Sequence, residues 1–209
     1  MSLFADLPTP LLINGFQIHI GYLNPKKQMA IVEDIRAVVR AAPLMQPITP
    51  SGRKMSVKMS AAGRLGWITD HKGYRYSATH PNGQAWPSIP QSVLSVWEDL
   101  VGADRLPDCC LINHYSAEAR MGLHQDRDEG DFSWPVLSIS LGDEGLFRMG
   151  GVNRKDPTKS HWLQSGDVVV MGGQARLAFH GVDRIKPGTS TLLEKPGRIN
   201  LTLRVVEQS

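Results

Sequence analysis

Over residues 108–209 the chain is written in short apolar runs cut by turn residues, and this pattern constrains the fold most. The runs are Cys110–Tyr115, Val136–Leu141, Leu146–Met149, Val168–Met171, Ala175–Phe179 and Asn200–Val206. Between them stand Gly142-Asp143-Glu144-Gly145, Gly150-Gly151, Asp156-Pro157, Gly166-Asp167, Gly172-Gly173 and Lys186-Pro187-Gly188. Many short strands at regular spacing argue for a β-sandwich or barrel.

The first half reads differently. Residues 1–23 suggest an irregular lead-in with a strand around Phe16–Tyr22. Asn24-Pro25 offers a capping side chain followed by proline at the first helical position. Ile31, Val32, Ile35, Val38, Val39 and Ala42 follow at helical spacing up to Pro43. A second, shorter helix is expected after Ser88-Ile89-Pro90-Gln91, read as a capping box. Its buried stripe would be Val93, Leu94, Trp97, Leu100 and Val101, and Gly102 would end it. The expected fold is mainly β with α (α+β): helices packed on a double-sheet jelly roll.

At 209 residues one domain suffices, and it needs no disulfide to fold. The adjacent cysteines Cys109 and Cys110 are poorly placed to bridge. They read as buried, reduced thiols in a reducing compartment. No apolar run approaches the ~18 residues of a membrane span. MSLFADLPTP lacks a basic leader region, its first lysine being Lys26, so a cytoplasmic protein is expected. The net charge of +3 and pI near 9.0 point weakly to a polyanionic partner.

The chemistry is concentrated in Leu111–Glu129. On extended backbone, residues two apart share a face. Asn113 and Tyr115 can therefore aim at one point, and so can His124 and Asp126. His-x-Asp supplies two ligands of a two-His, one-carboxylate triad that leaves coordination positions open. His180, at the end of an apolar run, is the better third ligand, with His161 the alternative. Arg198, Asn200, Thr202 and Arg204 alternate with Ile199, Leu201 and Leu203, which puts four polar groups on one face. That face carries two Arg, suited to carboxylates, roughly 20 Å apart along a strand at ~3.3 Å per residue. Finally, residues 47–86 interleave Arg53, Lys54, Lys58, Arg64, Lys72 and Arg75 with Trp67, Tyr74, Tyr76 and Trp86. Such a segment can stack on nucleobases while its cations meet phosphate, or its aromatics can simply pack in a hairpin.

In combination these motifs are specific. Asn113-x-Tyr115, His124-x-Asp126-x-Asp128-Glu129, Ser138–Gly142, His180-Gly181 and Arg198-x-Asn200-x-x-x-Arg204 resemble the AlkB family of iron(II)- and 2-oxoglutarate-dependent dioxygenases. So do Leu65-Gly66-Trp67 and Gly73-Tyr74-Arg75-Tyr76, within Met55–Tyr76. The resemblance implies a double-stranded β-helix core at 108–209, a nucleotide-recognition lid at 47–87, and an N-terminal extension and helix at 1–46. It implies that His124, Asp126 and His180 hold Fe(II). Arg198, Tyr115 and Asn200 would bind the distal carboxylate of 2-oxoglutarate, and Arg204 with Asn113 the carboxylate beside the keto group. Trp67, Tyr74, Tyr76, Asp128 and Arg154 would contact the substrate, and His124 would also stack on the target base. Asp128 would favour a cationic methylated base, unless it only orients Arg127 or Arg120. His114, Met171 and Arg53-Lys54 depart from the family pattern, at positions expected to touch substrate grip and pocket lining.

The implied activity is oxidative demethylation of 1-methyladenine and 3-methylcytosine in single- or double-stranded DNA. It would consume 2-oxoglutarate and O2 and release formaldehyde, succinate and CO2, the protein acting as a monomer. The same chemistry on RNA or on a protein side chain is the nearest rival. A zinc hydrolase built on the same three ligands is a second. A non-enzymatic damaged-base binding module is a third.

Overall fold

The computed structural model describes residues 9–208; residues 1–8, the first part of the expected lead-in and leader-free stretch, and residue 209 lie outside the described residues. In chain order the elements are β1 (Leu11–Ile13), β2 (Phe16–His19), α1 (Pro25–Ala41), β3 (Lys58–Gly63), β4 (Gly66–Asp70), β5 (Gly73–Ser77) and α2 (Gln91–Leu100). Then follow β6 (Cys109–Tyr115), β7 (Met121–His124), β8 (Val136–Gly142), β9 (Glu144–Met149), β10 (Lys159–Leu163), β11 (Val168–Met171), β12 (His180–Lys186) and β13 (Arg198–Arg204).

A seven-stranded sheet runs β1-β2-β11-β8-β13-β6-β3, and a four-stranded sheet runs β10-β9-β12-β7. The two enclose an apolar layer that includes Phe16, Ile18, Leu111, Tyr115, Phe147, Met149 and Leu163. On its other face the larger sheet packs against the helices. Leu137, Ile139, Leu141, Leu201 and Leu203 meet Ile31, Ile35 and Trp97 there. The period-two pattern of the strands thus becomes two apolar layers, one per face. Each fully buried Leu or Ile contributes about 1.5–3 kcal/mol through removal from water. The expected double-sheet jelly roll with packed helices is the observed architecture.

The helix starts differ. Asn24 caps α1 as expected, accepting from Lys27 N at 2.9 Å with Pro25 in the first turn. The second helix begins at Gln91 with Pro90 at its cap and no side-chain capping bond, so the Ser88 capping box is not formed. Gly102 does close it, at φ +121, donating to the Trp97 carbonyl. The lead-in is also more regular than expected. Asn14 and Gly15, both at positive φ, turn β1 back on β2. Ala175–Phe179 is not a strand: Gly173–Ala175 is a 3-10 turn, and Arg176 N and Ala178 N donate to carbonyls three residues back. The tight turn places the Arg176 side chain in the interior, 4% exposed.

Within residues 47–87, β3 joins the large sheet beside β6, while β4 and β5 stand apart as a two-stranded hairpin. Cys109 and Cys110 are free and buried, pointing into the two different apolar layers. Burial pushes the Cys109 thiol up to about 12. No helix among the described residues is long and apolar enough to cross a membrane.

Candidate active site

Strand register assembles the site. β12 pairs with β7 so that His180 lies opposite His124, and their ring centroids are 4.5 Å apart. Gly181 allows this approach: a Cβ there would stand 2.5 Å from the Met121 carbonyl oxygen. Asp126 stands two residues past the end of β7, with its carboxylate near both imidazoles. His124 Nε2 is 3.8 Å from Asp126 Oδ1, and His180 Nε2 is 3.7 Å from Oδ2.

Each imidazole has its other nitrogen engaged. Nδ1 of His124 is 3.0 Å from the Gly122 carbonyl, and Nδ1 of His180 is 3.0 Å from that of Ala178. A proton on Nδ1 donates to the carbonyl and leaves Nε2 with a free lone pair, the usual arrangement of a metal-bound histidine. Burial, then the neighbouring His124, lowers His180 to about 4, so it is neutral at physiological pH. Burial would raise the Asp126 carboxyl, but Arg204 and the two histidines hold it well below the usual carboxylate range. Oδ2 of Asp126 is buried without a hydrogen-bond partner. Two imidazole lone pairs and an unused carboxylate oxygen, all within 4.8 Å of one another, fit a divalent transition metal such as Fe(II). His161, the alternative ligand, sits on β10 away from this cluster.

The polar face of β13 lines the same interior. Its register sets Arg198 against Tyr115 and Asn200 against Asn113 on β6. Arg198 is 1% exposed. Its NH2 donates to Ser140 Oγ at 2.6 Å, its NH1 reaches only the Asp143 and Leu163 carbonyls at 3.4 and 3.5 Å, and its Nε has no partner. Arg198 makes no ion pair among the described residues. Burial lowers it to about 10. A buried guanidinium without a carboxylate is costly unless an anion arrives. Asn113 Oδ1 is likewise buried and unpartnered. Arg204, at the other end of the strand, is already engaged. Its NH2 donates to Asp126 Oδ1 at 2.8 Å, and its Nε faces Glu129 Oε1 at 3.5 Å. One strand thus carries an unpaired cation at one end and an ion-paired cation beside the metal ligand at the other.

The hairpin of β4 and β5 stands over the opening. Trp67 and Tyr74 stack at 5.5 Å and 17°, and Trp67 Nε1 donates to Asp128 Oδ2 at 2.9 Å. Asp128 therefore orients Trp67 rather than Arg127 or Arg120. Arg154 leans on the Phe179 ring and donates to the Leu123 carbonyl.

One cavity of about 690 Å³ unites these groups. Trp67, Tyr74, Asn113, Tyr115, His124, Asp126, Asp128, Arg154, His180, Arg198, Asn200 and Arg204 all line it. Tyr76 does not; its hydroxyl donates to Glu129 and accepts from Arg204 NH1 behind the wall. Met171 lines the cavity. His114 does not, because alternation along β6 turns it away from Asn113 and Tyr115, and it stands near Gly197. Arg53 and Lys54 are exposed and off the wall. Residue patterns missed Arg176, which donates to the Asp126 carbonyl at 2.7 Å and pairs with Glu129 at 3.2 Å. No local signal marks it, since it lies in a segment that reads as a strand.

Comparison with known proteins agrees with this geometry. The family described as the 2OG-Fe(II) oxygenase superfamily matches residues 15–204. An alpha-ketoglutarate-dependent dioxygenase AlkB homolog from Caulobacter vibrioides is 54% identical over 92% of this chain and 88% of its own length. The alpha-ketoglutarate-dependent dioxygenase AlkB of Escherichia coli is 40% identical over 98% of this chain and 97% of its own. The DNA N(6)-methyladenine demethylase ALKBH1C of Arabidopsis thaliana is 35% identical over 91% of this chain and 48% of its own. The solved structure of OsALKBH1 superposes with a TM-score of 0.82 at 33% identity, covering 95% of this chain and all of that one.

Proposed function

Since the chain belongs to the AlkB type within the 2OG-Fe(II) oxygenase superfamily, and is an iron(II)- and 2-oxoglutarate-dependent dioxygenase, we propose that it oxidatively demethylates N-alkylated bases in DNA, 1-methyladenine and 3-methylcytosine among them. One observation carries the reading: a single cavity holds the His124, Asp126 and His180 donor set, the unpaired Arg198 and the stacked Trp67–Tyr74 pair. The demethylase name of the Arabidopsis relative supports the nucleic-acid substrate.

Iron(II) with 2-oxoglutarate and O2 supplies the oxidation of the N-methyl group, releasing succinate, CO2 and formaldehyde. The protein's own residues position and select. His124, Asp126 and His180 would hold the iron. Arg198, Tyr115 and Asn200 would receive the distal carboxylate, where the guanidinium lacks an anion. Arg204 and Asn113 would bound the end beside the keto group. A base inside a duplex must be extruded to reach this cavity, which costs a few kcal/mol and less for a lesion that no longer pairs. Stacking against Trp67 and Tyr74 would recover about 1–3 kcal/mol. Asp128, hydrogen-bonded to Trp67, would favour a cationic methylated base, with Arg154 at the rim. Tyr76 would support the lid from behind.

On this reading residues 108–209 carry most of the catalytic core, while the expected extension at 1–46 adds α1 and, through β1 and β2, two strands of the core sheet. Residues 47–87 carry a nucleotide-recognition lid, narrowed to the β4–β5 hairpin. A cytoplasmic location fits the free, buried cysteines, and the protein would act as a monomer. A zinc hydrolase or a plain binding module would leave Arg198 without a role.

The test loads the protein with Fe(II) without oxygen, then adds methylated oligonucleotide, 2-oxoglutarate and air. Formaldehyde and repaired base are expected; absence of both sinks the proposal. Matched DNA and RNA oligonucleotides in parallel separate the two substrates.

A further inference from the structure

Around Asp126 lies a buried, charge-balanced box, two members of which, Glu129 and Arg176, have no part in the proposed function. Asp126 and Glu129 supply two negative charges, and Arg204 and Arg176 supply two positive ones. The Glu129 side chain is 1% exposed, with every edge occupied. Its Oε1 accepts from Tyr76 and faces Arg204 Nε at 3.5 Å; its Oε2 pairs with Arg176 NH2 at 3.2 Å. Arg176 in turn donates to the Trp134 carbonyl at 2.8 Å and the Asp126 carbonyl at 2.7 Å.

The contact between Arg204 and Asp126 is what calls for explanation. Arginine beside a carboxylate tends to form a two-pronged fork that takes both oxygens. Here a single N–H reaches Oδ1 at 2.8 Å, and Oδ2 stays without a hydrogen bond, facing His180. The remaining prongs of Arg204 are directed elsewhere: Nε toward Glu129 and NH1 toward Tyr76.

We propose that Glu129 is a positioning residue that restrains Arg204 to one contact with Asp126, and so keeps the second Asp126 oxygen available to the metal. Without the Glu129 charge, the Nε–NH2 edge of Arg204 can close on both oxygens of Asp126. The box would also carry an uncompensated positive charge beside a dication. Both effects weaken metal binding. The inference rests on the reading of His124, Asp126 and His180 as a metal centre.

The test is anaerobic titration with Co(II), followed by visible absorption, without 2-oxoglutarate or nucleic acid. Glu129→Gln is expected to weaken Co(II) binding by about ten- to a hundredfold, the range for residues that orient metal ligands. Adding Arg204→Met to Glu129→Gln removes the competitor for Asp126 and is expected to restore affinity to within a few-fold of the parent. Unchanged affinity in Glu129→Gln overturns the inference. So does a loss that the second substitution fails to recover, because Glu129 would then act through the fold at large. Should Glu129→Gln not fold, Arg204→Met alone and the double variant are compared. The single variant keeps one more negative charge, so affinities within about tenfold of each other support the inference, and a larger loss in the double variant overturns it. Failure of the parent protein to bind Co(II), or binding that survives His124→Ala, sinks the metal-centre reading itself.

Discussion

Arg198→Met is the most demanding test of the co-substrate site. The side chain is 1% exposed, its Nε is unpartnered, and its one short hydrogen bond goes to a neutral hydroxyl, Ser140 Oγ at 2.6 Å. In the ligand-free protein this cation is a net cost, since a buried charge without its counter-charge opposes folding by several kcal/mol. A bound carboxylate would turn the cost into a binding term. Truncating one partner of a buried, hydrogen-bonded charge pair costs about 2–5 kcal/mol. At ~1.4 kcal/mol per decade, 2-oxoglutarate binding should weaken by roughly thirty- to several-thousand-fold. The assay is calorimetric titration of 2-oxoglutarate into Mn(II)-loaded protein without oxygen, with thermal melts alongside. Ligand-free Arg198→Met should melt at or above the parent temperature. The parent should gain about 2.7 kcal/mol at a hundred times its Kd, and the variant at most about 0.9 kcal/mol at that concentration. Affinity within threefold of the parent, or a large loss of ligand-free stability, would refute the assignment of Arg198 as an anion receptor.

Three further outcomes are expected. Gly181→Ala should separate β12 from β7, since its Cβ would meet backbone oxygens of Met121 and Gly122 at 2.5 and 2.8 Å; metal titration should show at least a tenfold loss while the melt of the metal-free protein falls by ~1–3 kcal/mol equivalent. Trp67→Ala should raise KM for methylated DNA by about fivefold or more, the ~1–3 kcal/mol of a stacked base, while slow 2-oxoglutarate turnover without DNA continues; loss of that turnover would mean Trp67 supports the fold. The third concerns pH. His180 is lowered in the folded protein from 6.5 to about 4, so between these values the unfolded chain binds the extra proton. Metal-free stability should therefore fall as pH drops from 6.5 toward 4, by on the order of 3 kcal/mol. A His180→Asn variant should show a flatter melt-versus-pH profile, and an equally steep one would assign the loss to other groups.

What could be read from the residues, and what could not, divides along the range of the interactions. Alternation in β13 placed Arg198, Asn200, Thr202 and Arg204 on one face because a strand's side-chain period is local. The same rule applied to β6 turns His114 away from Asn113 and Tyr115, so its substitution does not alter the cavity wall. The Asn14-Gly15 dipeptide is a strong two-residue hairpin signal, yet the strands it joins are only three and four residues long, too short to stand out as periodic runs. Ala175–Phe179 reads as an apolar run, but Arg176 within it satisfies Asp126, Glu129 and Trp134, and a tight turn delivers its side chain there. Such a turn is fixed by partners about fifty residues away in sequence, which no local window contains. The same holds for the two arginines of β13. Composition alone makes Arg198 and Arg204 equivalent, and only the burial of Glu129 and Asp126 beside one of them separates their roles. Arg204 is neutralised by Asp126 and Glu129, whereas Arg198 has no ion pair among the described residues and, on the proposed reading, would receive a ligand. On the proposed reading this asymmetry would suit a dicarboxylate co-substrate, because the free cation stands at the end of β13 away from Arg204, where it could grip an anion without competing for Asp126.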